Sequence, residues 1–339
     1  MISKVKKYIL RKLGILALKE TCACMEKELK DTKKRCTALE KENKELQKKC
    51  NVLFWDKRIM FRRIDNLEKS LYIQHRGLNV AERNPRIIVS LPSFPARISI
   101  VPMVLERIFM QTVRPDKVIL WLSKEQFPNR EQDLPMKLLE MKSCGLDIEW
   151  CDGDTKAYKK SLPALKEYPD DLVIIFDDDI MYDLDMIEIL YEAHLQHPEA
   201  IIASRTHQIV RNDEGKIIPY SDWKKECNYD AYEIKEDWFF TGGAGTLFPP
   251  HAFGEEVFDE EAIQELCPYA DDIWLNVHAA MNHLQIINTT ANTYVKNVQE
   301  AQAVKLWDIN VNRNDEQLKG LIERYREELR DTIYGKGMV

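Results

Sequence analysis

The 339-residue sequence predicts an α/β fold, a mainly parallel sheet flanked by helices and preceded by a long N-terminal helix. Three observations carry that expectation. Short runs rich in Val, Ile and Leu recur between residues 86 and 176, separated by stretches of helical periodicity, as βα repeats require. An apolar heptad without proline extends from Ile15 to Leu71. One apolar run, LVIIF at 172–176, leads directly into Asp177, Asp178 and Asp179, and open α/β sheets bind ligands at the C-terminal ends of their strands.

In chain order, residues 1–16 form a basic amphipathic segment. Five of its first twelve residues are Lys or Arg, no acid precedes Glu20, and Ile2, Val5, Ile9, Leu13 and Leu16 share one helical face. This pattern describes an interfacial helix on anionic lipid, with a solvated basic tail as the alternative. Residues 17–76 are expected to form a coiled coil. Its a positions are Ile15, Cys22, Leu29, Cys36, Asn43, Cys50, Lys57, Ile64 and Leu71, and its d positions are Leu18, Met25, Thr32, Leu39, Leu46, Leu53, Met60 and Leu67. Asn43 at an a position favours two strands in fixed register, so a parallel homodimer is expected, although Thr32 and Lys57 weaken the seam. A single amphipathic helix packed on its own domain is the other reading.

The stretch at 77–85, with Gly77 and Pro85, breaks the heptad and reads as a linker. The main domain then covers 86–313. Strands are expected at 86–91, 117–123, 146–151 and 172–176, and helices at about 100–111, 131–143, 158–167 and 184–196. Beyond Ala200 the pattern loosens into a short strand, aromatic loops and helices near 254–265 and 271–282. Residues 314–339 are a C-terminal helix and tail, with Leu318, Leu321, Ile322, Tyr325 and Leu329 near one face.

The formal charge of −7 conceals an asymmetry. Residues 1–76 carry 21 Lys/Arg and 10 Asp/Glu, net +11, which leaves −18 on the remainder. The large domain is therefore not a nucleic-acid binder, whereas the basic arm suits an anionic surface. Eight cysteines without CxxC spacing, in a chain too large to need staples, fit a reducing cytosol. No apolar run reaches the length of a membrane span, and no signal-peptide pattern opens the sequence. The expected location is cytoplasmic, peripheral on the inner face of the membrane where the basic helix binds lipid.

The acidic triplet is the principal chemical signal. Adjacent carboxylates repel one another unless a cation or solvent offsets them, and hard oxygen ligands suit Mg2+ or Mn2+ where substrate phosphates complete the shell. A solvated acidic turn is the plainer reading. A second acidic pair, Asp271 and Asp272, opens a helical stretch, where carboxylates also serve merely as caps. TGGAGTLFPP at 241–250 lacks the spacing of a dinucleotide fingerprint. His251, His278 and His283 are solitary.

Taken in order, RIIVSLPSFPARI, VPMVLERIFMQTVRPDKVILWLS, YKKSLPALKEYPDDLVIIFDDDI, TGGAGTLFPP and CPYADDIWLN resemble bacterial glycosyltransferases of the GT-A fold, family-two-like, over roughly residues 85–315. The basic segment and coiled coil lie outside the resemblance. It implies that the triplet is a DxD motif, with Asp179 the first metal ligand, Asp177 on the metal or the ribose, and Asp178 in the donor site. It implies that Pro92, Ser93 and Phe94 meet the nucleotide base, and that Arg97, Lys156, Lys159 or Lys160 approaches the diphosphate. Thr241, Gly242 and Gly243 would let backbone approach the sugar, and Trp238, Phe239, Phe240 or Trp223 could stack on sugar faces, although core packing competes for at least two of them. One of the three histidines could complete a metal shell.

Within the same resemblance, Asp272 matches the catalytic base of an inverting transfer better than Asp271 does. Such a carboxylate takes the acceptor proton while the acceptor oxygen attacks the anomeric carbon. The implied enzyme is a metal-dependent glycosyltransferase that uses Mn2+ or Mg2+ to move a sugar from a nucleotide-sugar donor, a UDP-sugar first, to a saccharide or lipid-linked glycan. Two rivals stand beside it: a nucleotidyltransferase, which has no need of the second acidic pair, and a coiled-coil scaffold carrying an inactive transferase-like domain.

Overall fold

The computed structural model describes residues 2–12, 14, 21–22, 24–46, 49, 60, 64, 77–153, 155–227, 235–289, 298 and 313–335. The chain divides into two compact units, Met1–Arg62 and Arg63–Val339.

In the first unit, α1 (Ile2–Lys12) is eleven residues long and ends on Arg11 and Lys12, which suit the negative end of the helix dipole. Its apolar residues Ile2, Val5, Tyr8 and Ile9 are all exposed. Residues 24–46 are also helical (α2), and the heptad residues Met25, Leu29, Leu39 and Leu46 lie open on it. Among the described residues, the expected coiled coil appears as helix with these heptad side chains exposed. The rest of the heptad, from Ile15 onward, falls largely outside them.

The second unit holds a seven-stranded sheet of order β3-β2-β1-β4-β8-β5-β9, made of β1 (Ile87–Pro92), β2 (Lys117–Ser123), β3 (Leu146–Cys151), β4 (Leu172–Ile175), β5 (Ile201–Ala203), β8 (Thr246–Phe248) and β9 (Ile286–Asn288). A separate ribbon pairs β6 (Thr206–Gln208) with β7 (Trp238–Phe240). Strands β1 to β4 are parallel, β8 runs antiparallel to β4 and β5, and β9 is parallel to β5.

Burial on both faces explains why the first strands read as unbroken apolar runs. Alternate residues of β1 serve different cores. Ile87, Val89 and Leu91 join Val118, Leu120 and Leu122 on the side covered by α3 (Val101–Phe109) and α6 (Met186–Gln196). Ile88 faces Ile119, Val173, Ile175 and Trp274 on the other side, with α8 (Asp271–Met281).

Three expectations need correction. The helix read at 131–143 is three pieces: a 3-10 turn Arg130–Asp133, a short α4 (Met136–Glu140) and a second 3-10 turn Met141–Cys144. Pro135 explains the break, because it drives Leu134 to an extended conformation (φ −96°, ψ 145°). The segment 77–85 is tied down rather than loose. Gly77 N–H donates to the Phe109 carbonyl (3.2 Å), Asn79 N–H to that of Pro115 (2.8 Å), and Arg83 pairs with Asp116 (3.0 Å). The C-terminal helix is also shorter than expected; it spans Asn314–Arg324 (α9) and gives way to turns. The remaining helices are α5 (Leu162–Glu167) and α7 (Glu260–Leu266).

Candidate active site

Sheet register gathers the candidate residues at one edge. Ser90 of β1 is level with Ile175 of β4, so Ser93 and the triplet leave the sheet side by side. Because β8 is antiparallel, its first residue Thr246 also pairs with Ile175, which sets the preceding loop against the triplet. That loop is a 3-10 turn, Gly242–Ala244, followed by Gly245 at φ +111°, where a side chain would be strained. Its closest approach explains a second glycine: a Cβ on Gly243 would lie 1.6 Å from Asp177 Oδ2.

The three aspartates have different surroundings. Asp178 is 4% exposed, accepts from Ser93 Oγ (2.6 Å) and pairs with Arg97 Nη1 (2.9 Å), so it braces the β1 loop against the β4 loop. Burial pushes its carboxyl above the usual range despite those partners. Asp179 is more open and shares the same Arg97 nitrogen (3.0 Å). Burial, reinforced by the neighbouring charge of Asp177, lifts it to about 6 against the pull of Arg97. Asp177 is also partly open and meets Lys160 Nζ at 3.2 Å. Its N–H donates to the Tyr182 hydroxyl (2.7 Å), which donates onward to the Gly243 carbonyl (2.5 Å).

The second acidic pair sits at the first turn of α8, where the helix dipole favours carboxylates. Asp272 is partly open, and its Oδ1 accepts the Gly242 N–H (2.9 Å). Burial, then the charge of Asp271, raises it to about 6, while Lys160 and the Gly242 N–H work the other way. Asp271 is 5% exposed and pairs through Oδ2 with Lys160 Nζ at 3.1 Å. Burial alone would lower Lys160, but Asp177, Asp271 and Asp272 together hold it well above its ordinary value. Asn276 fastens this turn to β7. Its side chain exchanges hydrogen bonds with both backbone groups of Phe240 (3.0 and 2.9 Å) and donates to the Asp272 carbonyl (2.7 Å).

Arg97, Asp177, Asp178, Asp179, Lys160, Gly242, Gly243, Asp271 and Asp272 thus form one connected cluster. Ser93 joins it, Phe94 lies under the Arg97 guanidinium (5.3 Å), and Pro92 ends β1 beside them. Thr241 Oγ1 accepts from Arg205 Nε (2.6 Å).

The basic candidates of the 156–160 turn have three different surroundings. Lys160 is buried and ion-paired rather than facing solvent, Lys159 is buried with its Nζ on Gln126 Oε1 (3.2 Å), and Lys156 rests over the Tyr269 ring (3.8 Å). Trp238 is packed into the protein. It is 2% exposed, as buried as Trp223, Phe239 and Phe240, and borders a cavity of about 250 Å³ with Asn276, His283 and Tyr334.

The histidines do not join the cluster. His251 is exposed and pairs with Asp170 (2.8 Å), His278 is buried against Trp274 and Tyr325, and His283 is exposed. Sequence reasoning missed Ser90, Tyr182, Arg205 and Asn276, single polar residues that each have a partner 30 or more positions away. Among the described residues, no group of three or more His, Cys, Asp or Glu converges as a ready cation cage.

No protein-family model matches the chain, and no curated protein matches its sequence. Solved structures with a similar fold include the mannosyltransferase PcManGT from Pyrobaculum calidifontis in complex with GDP-Man and Mn2+, at 14% identity and TM-score 0.44, over 78% of this chain and 72% of that one. They also include residues 1-349 of S. aureus TarS. The complex with UDP shares 11% identity (TM-score 0.40) over 62% of this chain and 59% of that one. A second TarS structure shares 13% identity (TM-score 0.42) over 72% and 73%. At such identities the named ligands are properties of those proteins.

Proposed function

We propose that this chain is a metal-dependent, inverting glycosyltransferase that moves a sugar from a nucleotide donor, a UDP-sugar first, to a saccharide or lipid-linked glycan. One observation carries the reading: two partly open carboxylates, Asp177 and Asp272, meet the same Gly242–Gly243 loop from different elements, beyond the C-terminal end of β4. Two acidic groups with separate supports suit a reaction that needs one to manage a leaving diphosphate and the other to remove a proton.

Asp177 and Asp179 fit a hard divalent ion: both supply carboxylate oxygens, and the burial and neighbouring Asp177 charge that raise Asp179 are penalties that an added cation would offset. When bound, Mn2+ or Mg2+ would stabilise the charge gathering on the departing diphosphate. Gly242 N–H orients Asp272, whose free oxygen receives the acceptor hydroxyl proton. Asp178, held by Ser93 and Arg97, keeps the triplet in place. The second acidic pair favours this reading over a nucleotidyltransferase, and the connected cluster favours it over an inactive scaffold. The heptad would pair two copies, and α1 would hold them peripherally at an anionic cytoplasmic membrane face; no described helix is long and apolar enough to cross a membrane.

The test is a panel of nucleotide sugars assayed for binding and slow hydrolysis, with and without Mn2+. One donor should bind only with metal, and Asp179→Ala should abolish that binding without unfolding the domain. A folded Asp179→Ala protein with unchanged Mn2+-dependent donor affinity would remove the triplet from the donor site.

A further inference from the structure

Lys160 is 5% exposed and projects from a 3-10 turn, Lys156–Lys160, into the gap between the two acidic groups. Its Nζ stands 3.2 Å from Asp177 Oδ1 and 3.1 Å from Asp271 Oδ2. Its backbone is fixed as well: the Lys160 carbonyl accepts from Ser90 Oγ (2.6 Å), and that oxygen accepts from Trp121 Nε1 (3.0 Å). Two central strands therefore set where the ammonium sits. The Gly242 loop closes over it, since a Cβ there would come within 3.3 Å of Lys160 Cε and 3.1 Å of Asp272 Oδ1.

A lysine so enclosed is poorly placed to grip a diphosphate from solvent. We infer instead that Lys160 is a positioning residue, a buried clasp that holds the donor-side carboxylate Asp177 and the base-side pair Asp271/Asp272 at fixed separation. The inference rests on the glycosyltransferase reading for the tasks of those carboxylates, but the clasp itself rests on the ion pairs. Among the described residues Lys160 is ion-paired with Asp177, which would share its charge with a further cation from solution. The clasp should therefore oppose metal binding while supporting transfer, and Asp271 should tune that opposition by drawing the ammonium toward α8. A diphosphate contact would act in the opposite direction.

Full-length Lys160→Met, Asp271→Asn and the double variant test this, with Lys160→Arg as the charge-retaining control. Thermal unfolding reads the clasp alone. Lys160→Met leaves buried carboxylates uncompensated and melts low, and adding Asp271→Asn should raise its melting temperature, because one of those charges is gone. Strict additivity, with the double variant melting below both single ones, would overturn the clasp. Mn2+ titration in the presence of UDP reads its effect on the donor side. Folded Lys160→Met, or the double variant if the single one does not fold, should bind Mn2+ on the order of tenfold more tightly, because a positive charge beside Asp177 has been removed. Transfer should nevertheless fall at least tenfold, and Lys160→Arg should restore part of it. Weaker or unchanged Mn2+ affinity in a folded variant would overturn the positioning role. Absence of Mn2+ binding in the unmodified protein would instead count against the metal reading, with the unfolding cycle still deciding the clasp.

Discussion

Asp272 differs from its neighbour by having one oxygen anchored on Gly242 N–H and the side chain partly open, whereas Asp271 is closed in with Lys160. Asp272→Asn should keep donor binding but lower transfer by about two to four orders of magnitude, since shape survives and basicity does not. Asp271→Asn should do less. A base held near 6 works only when ionised, so the rate should rise with pH through about 6 and level off above it. Stability should run the other way. The folded state holds this proton more tightly than the unfolded chain, so the carboxyl's contribution is full below the ordinary aspartate range and is lost as pH rises through 6. Asp272→Asn should therefore melt above the unmodified protein at pH 8, with the gap closing near pH 4. A mutant with near-normal transfer would move the base elsewhere. The acidic residues were legible because a run of carboxylates after an apolar strand has few uses. Lys160 was legible as a candidate cation but not as a partner of Asp177 and Asp271, and Tyr182 and Arg205 were not legible at all, because their meaning lies in partners brought near only by the fold.

Among elements, the loop between β7 and β8 does the most with the least sequence signal. Its strands are three residues long, too short for alternation to register, and its antiparallel entry beside β4 cannot be read from TGGAGTLFPP. By contrast, β2 and β3 fall where the apolar runs place them, at Lys117–Ser123 and Leu146–Cys151. The broken helix at 131–143 shows periodicity overruled by one proline. Gly243 gives the loop its closest contact. Gly243→Ala should push the Asp177 carboxyl group aside and cut donor affinity at least tenfold, with circular dichroism nearly unchanged and a lowered melting temperature, because the displaced carboxylate leaves buried Lys160 with one partner fewer. Unaltered donor affinity in that variant would show that the loop and Asp177 do not act together.

At the scale of the whole molecule, the proposed function gives basic residues 1–76 the task of recruitment and the acidic remainder that of transfer. Among the described residues, Gly77, Asn79 and Arg83 bond to the 109–116 segment ahead of β1. Deleting residues 1–76 should leave a folded domain with donor hydrolysis largely retained, because the βα pattern begins only after the break at 77–85. The same deletion removes every a and d residue of the heptad and the +11 charge of the arm. Light scattering should then find a monomer, and sedimentation with vesicles containing anionic lipid should lose the binding expected of the full chain, with neutral vesicles as the control. These outcomes separate the two roles of the arm. A truncated chain that still dimerises would shift oligomerisation to the domain and leave the heptad a single helix, whereas one that still sediments with anionic vesicles would shift membrane contact away from α1.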